Sequence, residues 1–300
     1  MSVFRTTGQA VAALAVLLVV WAGIIEPRYL LDVNEFDAPL PGLTQDWEGQ
    51  EVALLADFQV GMWLDNKGMV SKAVREIIDR DVEVALIAGD FMYRPDSSRI
   101  LEAVELVKPL PEAGVQTFAV LGNHDYSLMK EKSDARPDLA GYLEQVLEQE
   151  GIQVLKNQAA RVAIEDSSPL YVVGIGSVWA HHAHPATALE QVPEGAPRIV
   201  LMHNAEAFED VPAGTAPLAL AGHTHGGQIR LPMLKSTSWL DIVGKEEVVA
   251  DGWASEEQTP EGNNLYVNRG IGFSNLPVRL FTRPELTIFR LRPEQTFSMR

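Results

Sequence analysis

Carboxylate, amide and imidazole side chains recur along this chain in five short groups. They are Asp57, Gly89-Asp90, Gly122-Asn123-His124-Asp125, His203 and Gly222-His223-Thr224-His225. Such side chains are ligands for zinc, manganese and iron ions, whereas thiolates are absent because the chain has no cysteine. The two oxygens of Asp90 could bridge two ions about 3.5–4 Å apart and hold them around a phosphoryl group. In the alternative interpretation each polar residue is an isolated strand-end residue that faces water. This explains Asp57 taken alone, but it does not readily explain two His-containing motifs in this order, so a two-metal hydrolytic centre is the leading interpretation.

Each polar group follows a short apolar run that is typical of a buried strand. The runs cover residues 52–56, 84–88, 118–121, 199–202 and 218–221. Polar side chains collect at the carboxyl ends of such strands, so we expect all five groups at one rim of an α/β domain. Helical spacing of apolar residues predicts helices over 68–80 and 139–150. Further strands at 161–165, 170–174, 264–268 and 286–291 would supply a second sheet.

With these motifs the sequence resembles the calcineurin-like metallophosphoesterases over about residues 48–292. Their pattern is Asp-x-His, Gly-Asp, Gly-Asn-His-Asp/Glu, a lone His and Gly-His-x-His. Residues 222–232, 266–272 and 276–285 are most similar to the membrane-associated bacterial phosphodiesterases of the YaeI/YkuE type. The chain also resembles pyrophosphohydrolases that cleave UDP-diacylglucosamine. The fold implied is α/β, with two packed mixed β-sheets flanked by helices in a four-layer sandwich.

The resemblance also implies a role for each polar residue. One of two divalent ions (Mn, Zn or Fe) would be bound by Asp57, Asp90 and His225. The other would be bound by Asp90, Asn123, His203 and His223. His124 would act as a general acid or stabilise the transition state, oriented by Asp125.

Gln59 stands where the family pattern has a histidine, since the chain reads Asp57-Phe58-Gln59. An amide oxygen can ligate a metal but is a poorer donor than imidazole toward zinc-like ions. The first metal site is then weaker or prefers a harder ion such as manganese. In the alternative interpretation Gln59 only makes a hydrogen bond within the site.

The composition is that of a folded acidic enzyme. With 300 residues and 46% hydrophobic content, the chain can form one large catalytic domain of about 240 residues. Lys and Arg number 24 and Asp and Glu 41, so 24 − 41 gives a net charge of −17. Such a surface repels a nucleic-acid backbone, so no nucleic-acid partner is expected.

The amino-terminal segment carries no charged side chain between Arg5 and Glu26, and as a helix it is long enough to span a bilayer. A retained membrane anchor over 1–25 is favoured over a cleaved signal peptide or a buried soluble helix. Arg5 precedes the span and acidic residues follow it, which predicts a single-pass protein with an extracytoplasmic catalytic domain. A linker or extended arm is predicted over 26–47, the metallophosphoesterase domain over 48–292 and a tail over 293–300.

Three further groups of residues each have two interpretations. The stretch Trp179-Ala180-His181-His182-Ala183-His184 could line the mouth of the site or form a solvated loop. Met62-Trp63 and Met92-Tyr93 could form an apolar wall for a lipid or nucleoside moiety, or belong to the core. The guanidinium groups of Arg269, Arg279 and Arg283 could bind phosphate, although ordinary salt bridges are the commoner outcome in an acidic protein.

Together these features predict a membrane-tethered, dinuclear metal-dependent hydrolase of phosphoester bonds. A phosphodiesterase or pyrophosphohydrolase acting on a lipid or cell-envelope substrate is favoured. One alternative is a phosphomonoesterase, which would share every metal ligand. The other is a non-catalytic membrane scaffold with a weakened metal site, for which Gln59 is the only sequence support.

Overall fold

The computed structural model describes residues 2–130, 133–164, 167–231, 234–238 and 249–294. The strands are β1 (Asp32–Leu40), β2 (Glu51–Leu55), β3 (Val84–Ile87), β4 (Gln116–Ala119), β5 (Ile152–Val154), β6 (Gln158–Val162), β7 (Leu170–Gly174), β8 (Arg198–Leu201), β9 (Ala219–Ala221), β10 (Arg230–Leu231), β11 (Leu234–Ser238), β12 (Gly252–Trp253), β13 (Leu265–Val267) and β14 (Glu285–Pro293). The helices are α1 (Ser2–Val20), α2 (Glu26–Tyr29), α3 (Lys67–Asp79), α4 (Ser97–Val107), α5 (Pro109–Glu112), α6 (Pro137–Gln149) and α7 (Pro185–Leu189).

Two mixed six-stranded sheets form the body of the protein, as predicted. The first has the order β1-β14-β2-β3-β4-β5, and the second has the order β12-β13-β9-β8-β7-β6. Strands β2 to β5 run parallel in the first sheet, and β13, β9, β8 and β7 run parallel in the second. Strands β10 and β11 form a separate antiparallel pair.

The register of the parallel strands brings their carboxyl ends to one level. Leu55 of β2 lies opposite Ile87 of β3, and Ile87 lies opposite Ala119 of β4. In the second sheet, Leu201 of β8 lies opposite Leu220 of β9. The loops that follow these five strands therefore begin side by side, which places the predicted polar residues at one rim.

The side chains of each central strand alternate between two cores. In β2, Val52 and Leu54 pack between the two sheets, whereas Ala53 and Leu55 pack under the helices of the first sheet. Both faces are buried, which explains the continuous apolar runs in the sequence. The predicted helices are confirmed as α3 and α6, which direct apolar faces onto the first sheet.

Two strand assignments differ from the sequence-based expectation. The strand predicted over 286–291 is β14, and it lies in the first sheet between β1 and β2 instead of in the second. Residues 32–40, within the segment predicted as a linker or extended arm, form the edge strand β1, which is parallel to β14 over nine residue pairs. Both pairings join distant parts of the chain, so local sequence patterns carry little information about them. Pro293 closes β14, and residues 295–300 of the predicted tail lie outside the described residues.

The amino-terminal segment is helical from Ser2 to Tyr29, with a π-helical turn at Trp21–Ile25 between α1 and α2. The stretch Thr7–Tyr29 has 23 residues and a mean hydropathy of 2.3, so it is long and apolar enough to cross a membrane. A signal sequence has the same length and composition.

We expect β1 to be required for the stability of the domain. A truncated chain that starts at Asp46 loses β1 and the fully buried Leu40, whereas one that starts at Leu31 keeps both. Burial of Leu40 alone stabilises the fold by about 2 kcal/mol. The free energy of unfolding of the shorter chain should therefore be lower than that of the longer chain by at least this amount. Urea denaturation of the two soluble chains measures the difference, and equal stabilities would show that β1 is dispensable.

Candidate metal centre

The carboxyl ends of β2, β3, β4, β8 and β9 bring together every residue predicted to bind metal. Asp57 and Gln59 follow β2, Asp90 follows β3 and Asn123 follows β4. His203 follows β8, while His223 and His225 follow β9. All of these side chains are buried except that of His223, which is partly exposed.

A first cluster consists of Asp57, Asp90 and His225, each of which offers one ligand atom within 4.8 Å of the others. The Nε2 atom of His225 lies 3.7 Å from Oδ1 of Asp57. All three residues are buried, so their polar atoms face one another instead of water. A divalent cation is the usual partner of such a buried group of charges.

A second cluster consists of Asp90, His203 and His223, whose ligand atoms also lie within 4.8 Å of one another. The Nε2 atom of His203 lies 3.3 Å from Oδ2 of Asp90 and 3.0 Å from Oδ1 of Asn123. It also lies 3.2 Å from Nδ1 of His223. Asp90 belongs to both clusters, which is the arrangement expected of a carboxylate that bridges two ions.

Two buried polar atoms in the centre have no hydrogen-bonding partner among the described residues. They are Oε1 of Gln59 and Nδ1 of His225. The other end of the Gln59 amide donates a hydrogen bond from Nε2 to Oδ2 of Asp90 at 2.8 Å. A buried acceptor without a partner is costly, and a metal ion would satisfy the oxygen of Gln59. The oxygen and nitrogen donors of both clusters therefore fit divalent ions of the zinc, manganese or iron type.

The titratable groups of the centre are buried close to one another, and burial shifts their pKa values. Burial raises the pKa of Asp57 to about 7. The charge of His203 opposes this rise, and the charge of Asp90 adds to it. Burial by itself would lower the pKa of His203, but the carboxylate of Asp90 raises it to about 10. The pKa of His225 falls well below its ordinary value because the ring is buried. A divalent cation would stabilise the ionised carboxylates and the neutral imidazoles at once.

Five of the seven predicted metal residues have left-handed backbone conformations. The φ angles are 55° at Asp57, 53° at Gln59, 58° at Asp90, 76° at His223 and 52° at His225. Non-glycine residues seldom adopt such angles, which cost about 1–3 kcal/mol each and cluster at functional sites. The tight turns direct side chains from the strand ends into the centre.

Gly270 lies in the family-like stretch 266–272, and the sequence alone does not predict a role for it. Its φ is 65°, and a Cβ atom there would lie 2.6 Å from Cβ of Asp57. Any side chain at this position would push against Asp57, so glycine is required for the close approach. A glycine in a motif shared with a family is the sequence signal for such a contact.

His124 and Asp125 follow β4, and their side chains make separate hydrogen bonds. Nδ1 of His124 lies 2.7 Å from the carbonyl oxygen of Tyr93, and the two rings contact each other at a tilt of 32° with centroids 5.3 Å apart. The carboxylate of Asp125 accepts hydrogen bonds from the backbone N–H groups of Asp90, Phe91 and Gly122 at 2.8–2.9 Å. The ring of His124 is thus held by Tyr93, whereas Asp125 ties together the loops after β3 and β4. Any effect of Asp125 on the orientation of His124 would act through these loops, and its predicted role stays a prediction.

Aromatic side chains border the partly exposed side of the centre. The ring of Trp179 packs edge-on against His223 with centroids 5.3 Å apart, so the stretch 179–184 begins at the mouth of the site. Met62 and Met92 are buried in the domain, as the core interpretation predicts, whereas Trp63 is 69% exposed. The proposed apolar wall is thus split between core and surface.

The three arginines considered as phosphate ligands have different environments. Arg269 forms salt bridges with Asp32 and Glu285, both at 2.8 Å, in agreement with the commoner interpretation. Arg279 is fully buried and donates hydrogen bonds to the carbonyl oxygens of Gly272, Thr282 and Arg269. Arg283 is exposed. Arg269 and Arg279 therefore stabilise the loop before β14.

Comparison with known proteins agrees with these motifs. Residues 51–227 match the sequence profile of the family described as Calcineurin-like phosphoesterase. The chain is 31% identical to Phosphodiesterase YaeI of Escherichia coli (strain K12) over 241 residues, which cover 80% of this chain and 82% of the relative.

Two more distant relatives match nearly the whole chain. UDP-2,3-diacylglucosamine pyrophosphatase LpxG of Chlamydia muridarum is 25% identical over 322 residues, covering 94% of this chain and 95% of the relative. The metallophosphoesterase YkuE of Bacillus subtilis (strain 168) is 22% identical over 276 residues, covering 91% and 89%. The resemblance drawn from the motifs is confirmed.

The bonding of Asp125 leads to a prediction about stability. Asp125→Ala leaves three buried backbone N–H groups without an acceptor, at about 1–3 kcal/mol each, so the free energy of unfolding should fall by at least about 3 kcal/mol. His124→Ala, which removes the neighbouring side chain and a single hydrogen bond, should cost clearly less. Urea denaturation at pH 8 compares the two variants. If the free energy of unfolding falls by the same small amount in both variants, the three hydrogen bonds of Asp125 do not hold the loops together.

Proposed function

Because the chain belongs to the calcineurin-like phosphoesterase family, we propose that it is a phosphodiesterase or pyrophosphohydrolase that acts on a lipid or cell-envelope substrate. Metal-dependent phosphoester hydrolysis is the activity of the family. The observation that carries the proposal is the pair of buried clusters that share Asp90.

We assign Asp57, Asp90 and His225, with the oxygen of Gln59, to one ion. Asp90, Asn123, His203 and His223 are assigned to the other. When bound, two such ions polarise phosphoryl oxygens and make a water molecule more acidic. The contribution of the chain is to hold the donors in place before binding, which the buried hydrogen bonds of Asp90 and His203 support.

His124 is proposed to act on the leaving group. A carbonyl oxygen only accepts hydrogen bonds, so the contact with Tyr93 requires that Nδ1 of His124 carries a proton. The second ring nitrogen, Nε2, is then the atom that exchanges a proton with the substrate. It can donate to a leaving oxygen when the ring carries both protons, which is the role of a general acid.

The preference for diesters or pyrophosphates rests on the relatives. One is named a phosphodiesterase, and another is named a pyrophosphatase of a diacylated UDP-sugar. The apolar amino-terminal helix supports a membrane location for this chain and therefore a lipid or envelope substrate. With a retained anchor, the charges around the span favour an extracytoplasmic catalytic domain.

Hydrolysis of nitrophenyl esters tests the proposed activity. The purified protein, loaded with Mn²⁺, Zn²⁺ or Fe²⁺, should cleave bis(p-nitrophenyl) phosphate faster than p-nitrophenyl phosphate. The reverse order would make the chain a phosphomonoesterase. Fewer than one ion per chain, together with no turnover of either ester in added Mn²⁺, would favour a non-catalytic scaffold.

The shared position of Asp90 predicts the effect of Asp90→Asn. The variant removes charge from both clusters, so it should lose most bound metal and all measurable turnover. His124→Ala is the matched control, because it should keep its metal while kcat falls by about 10²–10⁴-fold. Metal analysis and diester kinetics on both variants are the measurements. An Asp90→Asn protein with two ions and near-normal activity would refute the bridging role.

Two substitutions of Gln59 should change metal occupancy in opposite directions. Imidazole binds zinc-like ions more strongly than an amide oxygen does, so Gln59→His should raise metal occupancy after dialysis and reduce the need for added Mn²⁺. Gln59→Ala removes the unpaired Oε1 and should lower occupancy. If occupancy and rate stay the same in both variants, Gln59 serves only as a hydrogen-bond donor to Asp90.

A further inference from the structure

The base of the amino-terminal helix, residues 21–29, is joined to the catalytic domain by buried hydrogen bonds. Glu26 is 1% exposed, and its carboxylate accepts hydrogen bonds from Nε1 of Trp21 at 2.7 Å and from the backbone N–H of Thr282 at 2.6 Å. The backbone N–H of Arg279 donates to the carbonyl oxygen of Ala22 at 2.8 Å. The helix base is therefore a packed part of the domain.

A second set of bonds fixes the other side of the helix base. The guanidinium of Arg28 donates to the carbonyl oxygens of Leu64 and Asp65 at 3.0 and 3.1 Å. The side-chain amide of Asn66 donates to the carbonyl oxygens of Pro27 at 2.8 Å and Ile271 at 3.0 Å. Two segments of the domain, 61–66 and 271–282, thus hold the helix base, and we call them the clamp segments.

The clamp segments are continuous with the metal centre. Segment 61–66 directly follows Asp57 and Gln59 along the chain. At the start of segment 271–282, the backbone N–H of Ile271 donates to Ala56 at 3.1 Å and that of Gly272 donates to Asp57 at 2.7 Å. The side of the domain that meets the end of the apolar helix is therefore next to the first metal cluster.

Exposed apolar side chains concentrate on this same side. Outside residues 11–25, seven large apolar residues are exposed in the described part of the chain. Five of them lie in the helix base or the clamp segments, and we call them the apolar rim: Tyr29 (66% exposed), Trp63 (69%), Leu64 (56%), Leu276 (59%) and Phe281 (46%). Such a concentration marks an interaction surface, and a tryptophan beside a membrane-length helix is typical of the bilayer interface.

Two members of the apolar rim are held exposed at a conformational cost. The φ angles of Leu64 and Phe281 are 52° and 55°, in the left-handed region that favours glycine. A large apolar residue that is both exposed and in this conformation contributes little to the fold. Its presence is better explained by contact with something outside the domain.

We propose that the apolar rim inserts into the surface of the bilayer that holds the amino-terminal helix, so that the metal centre takes its phosphoester substrate from lipids in that bilayer. The inference rests on the proposed function and narrows its substrate to a lipid phosphoester. A bilayer is the chosen occupant because the rim surrounds the point where a membrane-length helix joins the domain. A net charge of −17 gives the chain no overall attraction to anionic headgroups, so we expect the contact to be mainly apolar and to persist in high salt.

The test compares a lipid and a water-soluble diester with the same leaving group. The full chain is reconstituted into phosphatidylcholine vesicles containing phosphatidyl-p-nitrophenol, and bis(p-nitrophenyl) phosphate is the soluble substrate. The Leu64→Gly/Phe281→Gly double variant should lower the ratio of lipid to soluble turnover at least about tenfold, since it removes two inserted side chains. Its thermal midpoint should be unchanged or higher, because glycine relieves both left-handed positions. Leu101→Ala, on the exposed face of α4, is the control and should leave the ratio unchanged.

A second readout does not depend on catalysis. Brominated phosphatidylcholine should quench the emission of Trp63 in vesicles with and without 0.5 M NaCl, measured as the quenching that Trp63→Phe removes. If Trp63 is quenched but neither ester is hydrolysed, the proposed function fails and the membrane surface stands. An unchanged turnover ratio together with an unquenched Trp63 overturns the inference. The inference is also overturned if light scattering shows that the protein is a dimer in detergent and that the double variant is a monomer, because the apolar rim would then be a contact between two copies of the chain.

Discussion

The carboxylate of Asp90 is the group on which the arrangement of the centre depends. Its Oδ1 accepts the backbone N–H of His124 at 2.9 Å, and its Oδ2 accepts from Gln59 at 2.8 Å and lies 3.3 Å from His203. One buried group therefore connects loops that follow strands of both sheets. Its burial opposes ionisation, yet the charges of His203 and His124 keep its pKa below the ordinary value, so the carboxylate stays charged inside the protein.

Other polar groups hold the loops so that the ligands need little rearrangement when ions bind. Nδ1 of His203 lies 2.6 Å from the carbonyl oxygen of Ala88, which fixes the ring and leaves Nε2 toward Asn123 and Asp90. Asp125 binds three backbone N–H groups beneath Asp90. Partners behind the first ligands are what set ligand orientation in metal sites. The left-handed turns at Asp57 and Asp90 are tolerated because these bonds surround them.

Much of the centre is predictable from the sequence because its ligands follow buried strands. An apolar run that stops at a polar residue identifies both the strand and its carboxyl end. The sequence therefore predicts the position of Asp57, Asp90 and His203 at one rim, where the structure has them. The pairing of β1 with β14 and the contact of His124 with Tyr93 were not predictable. Both depend on chain segments that meet only in the folded state, and a backbone carbonyl such as that of Tyr93 has no signature in the sequence.

Arg279 connects the helix base to the metal centre electrostatically. Burial, with the nearby charge of Arg269, lowers the pKa of this guanidinium to about 9, while the carboxylates of Asp57, Glu285 and Glu26 oppose that fall. The positive charge of Arg279 in turn opposes the rise that burial causes in the pKa of Asp57, and it adds to the fall that burial causes in the pKa of His225. Glu26 belongs to the helix base, and Asp57 belongs to the first metal cluster. Because one buried cation interacts with both, the helix base is part of the electrostatic environment in which the metal ligands ionise.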